Sequence, residues 1–233
     1  MNSIADNICA VRQQIAESAA RCGRAPDSVR LLAVSKTRSA DELRQACEAG
    51  QRAFGENYLQ EALDKIEALK DLALEWHFIG PIQSNKTRPI AEHFDWVHSV
   101  DRIKVARRLS EQRPAGLPPL NVCLQVNISA EASKSGCLPD QVAELAREVA
   151  SLPGLRLRGL MAIPEASGVP AEQRRPFAAL RQLLEQLREE LPQLDTLSMG
   201  MSGDMSAAIE EGATIVRIGT ALFGPRDYSR PNP

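Results

Sequence analysis

The sequence has 233 residues, enough to bury a sizeable core without disulfide or metal staples. With 28 Lys and Arg against 30 Asp and Glu the net charge is −2, so no basic excess exists to gather the phosphates of a nucleic acid. No apolar run nears the ~20 residues of a membrane span, residues Met1 to Asn7 lack a secretory pattern, and five scattered cysteines (Cys9, Cys22, Cys47, Cys123, Cys137) contain no Cys-x-x-Cys pair. A reducing, cytoplasmic setting is the expectation.

From Ile4 to Ala20, apolar residues at Ile4, Ile8, Val11, Ile15 and Ala19 recur every three or four positions, which predicts a helix with one buried face. Cys22-Gly23-Arg24-Ala25-Pro26 ends it, so residues 1–22 form an N-terminal helix. Short apolar runs follow at Arg30–Ser35, Arg52–Phe54, Glu75–Ile79, Asp95–His98, Leu120–Val126, Leu155–Met161, Thr196–Ser198 and Thr214–Ile218. Amphipathic segments separate them at Ala40–Ala49, Leu59–Leu69, Ser84–Ala91, Arg102–Glu111, Pro139–Ala150, Ala171–Leu191 and Asp204–Glu211. Strands alternating with helix-length segments make βαβ units and a parallel sheet. Eight candidate strands predict one α/β domain over 1–233, a (β/α)8 TIM-type barrel with its chemistry where the strands end. An open doubly wound sheet is the alternative, but Lys36-Thr37-Arg38-Ser39 stands where that fold carries a glycine-rich turn. Arg113–Pro119 reads as a stiff loop, Glu165–Glu172 as a loop on the active face, and residues 228–233 as a frayed tail.

Lys36 follows Leu31-Leu32-Ala33-Val34-Ser35, and strand alternation puts it on the same side as Leu32 and Val34. If that side faces the barrel interior, burial favours the neutral, nucleophilic amine, suited to a carbonyl partner. A solvated lysine opening a loop is the competing reading. Leu197-Ser198-Met199-Gly200-Met201-Ser202-Gly203-Asp204 runs from a strand into a helix that Ser202 can cap, and its glycines let backbone N–H groups approach an anion. Val216-Arg217-Ile218-Gly219-Thr220 repeats the pattern one unit later. Loops after strands seven and eight are where many such barrels bind phosphate. A Schiff-base lysine with a phosphate site points to pyridoxal 5′-phosphate (PLP). Arg217 is then either a rim salt bridge or the partner of the pyridine nitrogen. An arginine only donates, so it would leave that nitrogen unprotonated and the ring a poor electron sink.

These residues sit in a wider set of motifs: Phe54-Gly55-Glu56-Asn57-Tyr58, Trp76-His77-Phe78-Ile79-Gly80-Pro81-Ile82-Gln83-Ser84-Asn85-Lys86, Val126-Asn127-Ile128, Lys134-Ser135-Gly136 and Gly159-Leu160-Met161-Ala162-Ile163-Pro164. With Ala33-Val34-Ser35-Lys36-Thr37 and the two C-terminal motifs they cover Ala33 to Gly224, and the whole resembles the PLP homeostasis protein family. That family is similar in turn to the N-terminal barrel of alanine racemase, a fold-type III PLP enzyme. The resemblance implies that Lys36 carries the internal aldimine and that Arg217 faces the pyridine nitrogen. It implies that Ser202, Gly219 and Thr220 hold the phosphate, that Asn57 lies near the ring oxygen, and that Met161 packs near the ring.

Other residues read more plainly. His77 and His98 on strands, and His93 near a helix end, lack metal-ligand spacing and are expected as core or rim histidines. Lys86 and Lys134 are solvated loop lysines, accessory anion sites or alternative aldimine partners, and Glu56 is a salt-bridge partner before it is an acid or base. Racemisation needs an acid/base group on each face of the bound substrate. Alanine racemase takes its second group, a tyrosine, from outside this barrel, whereas here only Tyr58 and Tyr228 occur and the sequence ends at Pro233. The expected function is therefore a monomeric PLP carrier in intracellular PLP homeostasis, transiently meeting apo-enzymes and binding neither nucleic acid nor membrane. A weak racemase-type PLP enzyme and an aldolase-like Schiff-base lyase are the alternatives.

Overall fold

The pattern of apolar runs becomes a closed cylinder. The structure, a computed structural model, describes residues 3–129, 135–165 and 167–225. Among them are eight strands: β1 (Arg30–Val34), β2 (Ala53–Glu56), β3 (Glu75–Phe78), β4 (Trp96–Val100), β5 (Leu120–Gln125), β6 (Leu155–Met161), β7 (Thr196–Ser198) and β8 (Ile215–Ile218). Each pairs in parallel with the next, and β8 closes on β1 with Leu32 opposite Arg217. The helices are α1 (Ile4–Arg21), α2 (Ala40–Glu48), α3 (Leu59–Ala68), α4 (Thr87–His93), α5 (Ile103–Gln112), α6 (Val142–Ala150), α7 (Pro170–Arg188), α8 (Met205–Glu210) and α9 (Thr220–Phe223).

Period-two alternation divides each strand between two apolar regions. Leu31 and Ala33 pack outward with the helices, in a continuous shell that includes Leu43, Phe54, Leu109 and Val216. Leu32, Ala53, Trp96, Cys123, Met161 and Ile215 form a separate cluster that fills the barrel. This is the layered filling of a (β/α)8 barrel, a packed core and not a pore.

The N-terminal helix buries Ile8, Val11, Ile15, Ser18 and Ala19 against α2, α8 and α9. Ser3 and Asp6 form a capping box at its start. Gly23, at φ 68°, ends it in the left-handed region, with Arg24 N–H donating back to Ala19 O over 2.9 Å. Asn7 donates to Leu222 O over 2.9 Å, which ties α1 to the segment after β8.

Three expectations change. The segment over 84–91 is a 3-10 turn, Ser84–Lys86, followed by α4. The loop expected over Glu165–Glu172 ends sooner, because Pro170 opens α7, where its lack of an N–H costs nothing. The short α9 was not expected at all, since four residues carry no readable periodicity. The tail over 228–233, with Tyr228, and Lys134 lie outside the described residues.

Candidate functional site

Lys36 leaves the end of β1 on the interior side, continuing the Leu32–Val34 face, and is half-buried. Two contacts fix the turn that carries it. Thr37 takes φ 64°, a conformation that costs a non-glycine residue about 1–2 kcal/mol. Its N–H donates to Glu61 Oε1 over 2.6 Å, which holds the strained form. Arg38 then reaches across to donate to Gly224 O over 2.6 Å. That clamp joins the end of β1 to the segment beyond β8.

Lys36, Asn57, Ser202, Arg217, Gly219 and Thr220 all line one cavity of about 260 Å³ at the C-terminal mouth of the barrel. Val34, Ile79 and Ile163 supply its apolar wall. Gly219 sits close beneath β1: a side chain there would meet Val34 O at 3.2 Å and Val34 Cβ at 3.3 Å. Gly80 backs Asn57 so closely that a Cβ would overlap Asn57 O at 2.2 Å. The β7–α8 loop and the start of α9 meet at this cavity, the place where barrels of this type take a phosphate.

Arg217 is 4% exposed, and burial lowers its pKa to about 10, so it remains charged at neutral pH. It makes no salt bridge among the described residues. Its Nη1 donates to Ser198 Oγ and its Nη2 to Ala162 O, each over 2.8 Å. Two of the fork's five donors are thus engaged. Asn57 Oδ1 is buried without a hydrogen-bond partner, a cost that a polar ligand in the cavity would remove.

Two expected roles are revised. Ser202 does not cap α8. Asp204 occupies the N-cap position and turns its carboxylate onto Met201 N–H at 2.6 Å, leaving Ser202 on the cavity wall. Met161 is fully buried in the barrel-filling cluster and is not among the lining residues.

Glu56 takes the salt-bridge role. It points out of the barrel, opposite Gly55, and its Oε1 accepts from Lys65 Nζ at 2.8 Å and from Ser35 Oγ at 2.6 Å. Burial pushes its carboxyl up, against the pull of Lys65. Lys65 also donates to Ser35 O over 2.7 Å and to Glu61. Sequence reasoning missed this buried triad behind Lys36. The i,i+4 spacing of Glu61 and Lys65 on α3 was the available signal. Lys86 is exposed on its 3-10 turn, and His93 is exposed on α4. His77 and His98 are fully buried inside the barrel, and no group of His, Cys, Asp and Glu among the described residues is arranged to hold a metal.

Residues 7–227 match the family described as alanine racemase, N-terminal domain. The pyridoxal phosphate homeostasis protein of Pseudomonas aeruginosa is 66% identical over 231 residues, covering 99% of each chain. The protein of the same name from Escherichia coli is 56% identical over 236 residues, covering 99% of this chain and 100% of that one. PipY of Synechococcus elongatus, in its structure with PLP bound, is 39% identical with a TM-score of 0.84, covering 95% of this chain and 100% of that one. An alanine racemase from Corynebacterium glutamicum shares the fold at 18% identity, with a TM-score of 0.70 over 98% of this chain and 62% of that one. A barrel matched along nearly its whole length, with Lys36 and the loops after β7 and β8 meeting in one cavity, places the chain in the pyridoxal phosphate homeostasis protein family.

Proposed function

We propose that the protein binds pyridoxal 5′-phosphate at the barrel mouth and holds it for intracellular supply. The observation that carries this reading is the single cavity shared by Lys36, Arg217 and the two C-terminal loops. PLP brings an aldehyde that condenses reversibly with a primary amine. Lys36 supplies that amine from a half-buried position. Ser202, Gly219 and Thr220 would hold the phosphate through hydroxyl and backbone donors, and Asn57 would gain the partner its buried Oδ1 lacks. Met161 would act on the ring only indirectly, through the packed interior.

Arg217 favours holding over chemistry. A guanidinium facing the ring nitrogen can only donate to it and does not protonate it. The ring then draws electrons weakly, unlike one paired with an aspartate. Tyr58, the one tyrosine among the described residues, is 43% exposed and is not a cavity-lining residue. A storage and delivery role toward PLP-dependent apo-enzymes, by a cytoplasmic monomer, fits these features better than racemisation. Among the described residues no helix is long and apolar enough to cross a membrane.

An absorbance scan of the purified protein tests the reading. A visible band is expected, to be lost in Lys36→Ala and shifted in Arg217→Glu. A folded protein that stays colourless after soaking in PLP would refute it.

A further inference from the structure

Adjoining the cavity, the barrel interior holds a string of polar side chains that ligand contact does not account for. It starts at Arg217 on β8, whose Nη1 lies 2.8 Å from Ser198 Oγ on β7. Ser198 Oγ lies 2.7 Å from His98 Nδ1 on β4, and His98 Nε2 lies 2.9 Å from His77 Nδ1 on β3. His77 Nε2 lies 2.5 Å from Glu75 Oε1, at the opposite end of the barrel. There Arg30 meets Glu75 at 2.7 Å, with the Glu75 side chain 31% exposed. Ser198, His77 and His98 are wholly buried.

The chemistry of the two ends fixes the direction of every proton in between. A guanidinium only donates, so Ser198 Oγ accepts from Arg217. Its single proton then goes to His98 Nδ1. His98 accepts there and carries its own proton on Nε2, which it donates to His77 Nδ1. His77 in turn carries its proton on Nε2 and donates it to Glu75, a carboxylate that only accepts. Reversing the direction would either set a bare His77 lone pair against the carboxylate at 2.5 Å or require a charged His77.

The surroundings oppose that charge. Arg30 on β1 and Arg217 on β8 are positive at the two ends. Trp96 lies parallel to His77 at 5.5 Å, and Cys123 on β5 belongs to the apolar filling. The acidic groups that face the two rings are Glu75 itself and Asp95, which is engaged with Trp76 N–H at 2.8 Å; Asp204, at the other end, faces Arg217. Burial also pushes both histidines toward their neutral forms.

We propose that Glu75, His77, His98 and Ser198 are positioning residues for Arg217, forming a one-way hydrogen-bond relay with both histidines neutral and protonated on Nε2. The relay passes the carboxylate's demand for a proton across the barrel to Ser198. It thereby fixes the plane of the guanidinium on the cavity wall. The part concerning the ligand rests on the PLP reading above; the proton arrangement does not.

The test has two arms. Nitrogen-15 NMR of the full chain at neutral pH, without added PLP, reads each imidazole directly, with exposed His93 as the reference signal. Both buried rings are expected with Nε2 protonated and Nδ1 bare; a proton on Nδ1 of either ring, in place of or beside that on Nε2, would overturn the relay. This arm needs no variant and no ligand, so it stands even if PLP binding fails. In the second arm Ser198→Ala removes the acceptor for Arg217. The PLP-loaded variant is expected to show an absorbance maximum that moves with pH between pH 6 and 8, where the parent is flat, and to release PLP about tenfold faster, as loss of one charge-assisted hydrogen bond implies. A folded variant with the parental pH profile and release rate would refute the positioning role.

Discussion

Two lysines converge on the end of β1, and their surroundings give them opposite characters. Lys65 lies outside the barrel, 5% exposed, with its charge spent on Ser35 O, Glu56 and Glu61. Lys36 lies inside, half-buried on the wall of a cavity that also holds an arginine and two anion-approachable loops. The backbone between them, Ser35 to Thr37, is held by the Lys65 cluster on one side and opens to the cavity on the other. Charge pairing makes the first lysine a strut; the role we propose for the second, that of a reagent, rests on its place in a cavity with apolar walls. A buried ion pair is costly to assemble, but far costlier to break by deleting one partner.

The sharpest way to break the comparison is to exchange the losses. Lys36→Ala should abolish covalent PLP labelling at this cavity while shifting the urea midpoint less than Lys65→Met does. Lys65→Met should cost about 3–5 kcal/mol of stability, because it leaves Glu56 and Glu61 buried without their cation. Urea denaturation of both variants checks this. Equal destabilisation by the two would erase the distinction between strut and reagent.

Much of that contrast is written in the sequence, and part of it is not. Counting by twos puts Lys36 on the side of Leu32; that this side faces the interior came from the closed barrel. The loops that reach the cavity after β7 and β8 were marked by Gly200, Gly203 and Gly219 placed just after strands. The eight-strand alternation gave the barrel, since the pattern of each unit is local. Lys65 escaped because its partners are thirty, nine and four residues away, and only the β2 register against β1 brings Glu56 and Ser35 together. His77 and His98, which both lie in the core, were legible as core or rim residues on strands. Their contact was not, because it depends on how β3 and β4 align across a closed sheet. Ser202 was misassigned as a cap because the helix begins later than the sequence pattern suggests: Asp204 holds the N-cap position, and its carboxylate turns back onto Met201 N–H.

A smaller effect sharpens the cavity side of the comparison. Ser202→Ala combined with Thr220→Val should weaken PLP retention by roughly ten- to a hundredfold, at about 1.5–3 kcal/mol per lost charge-assisted bond with partial replacement by water. Equilibrium dialysis measures it. Retention at the parental level would remove the loops from the phosphate site.

The least dramatic expectation concerns acid. His77 and His98 both sit below their usual 6.5, pushed down by burial. The unfolded chain therefore binds protons that the folded chain refuses, so their contribution to stability is complete above pH 6.5 and is lost as pH falls below it. Each adds a slope of up to about 1.4 kcal/mol per pH unit. Glu75 is opposed by its own burial, but His77 and Arg30 outweigh that and bring it to about 2, so its contribution is lost only between pH 4.5 and 2. Glu56, raised by burial, works in the opposite sense at acid pH. The melting temperature should thus fall as pH drops below 6.5, less steeply than the two histidines alone would set, because Glu56 and Asp95, both raised by burial, oppose them. A flat profile over that range would place the two histidines outside the titration that burial imposes on them.

Borohydride reduction of the PLP-treated protein, followed by peptide mapping, tests the central claim most directly. The account predicts a reduced pyridoxyl group on Lys36. Labelling elsewhere with Lys36 unmodified, or no labelling of the folded protein, would contradict it.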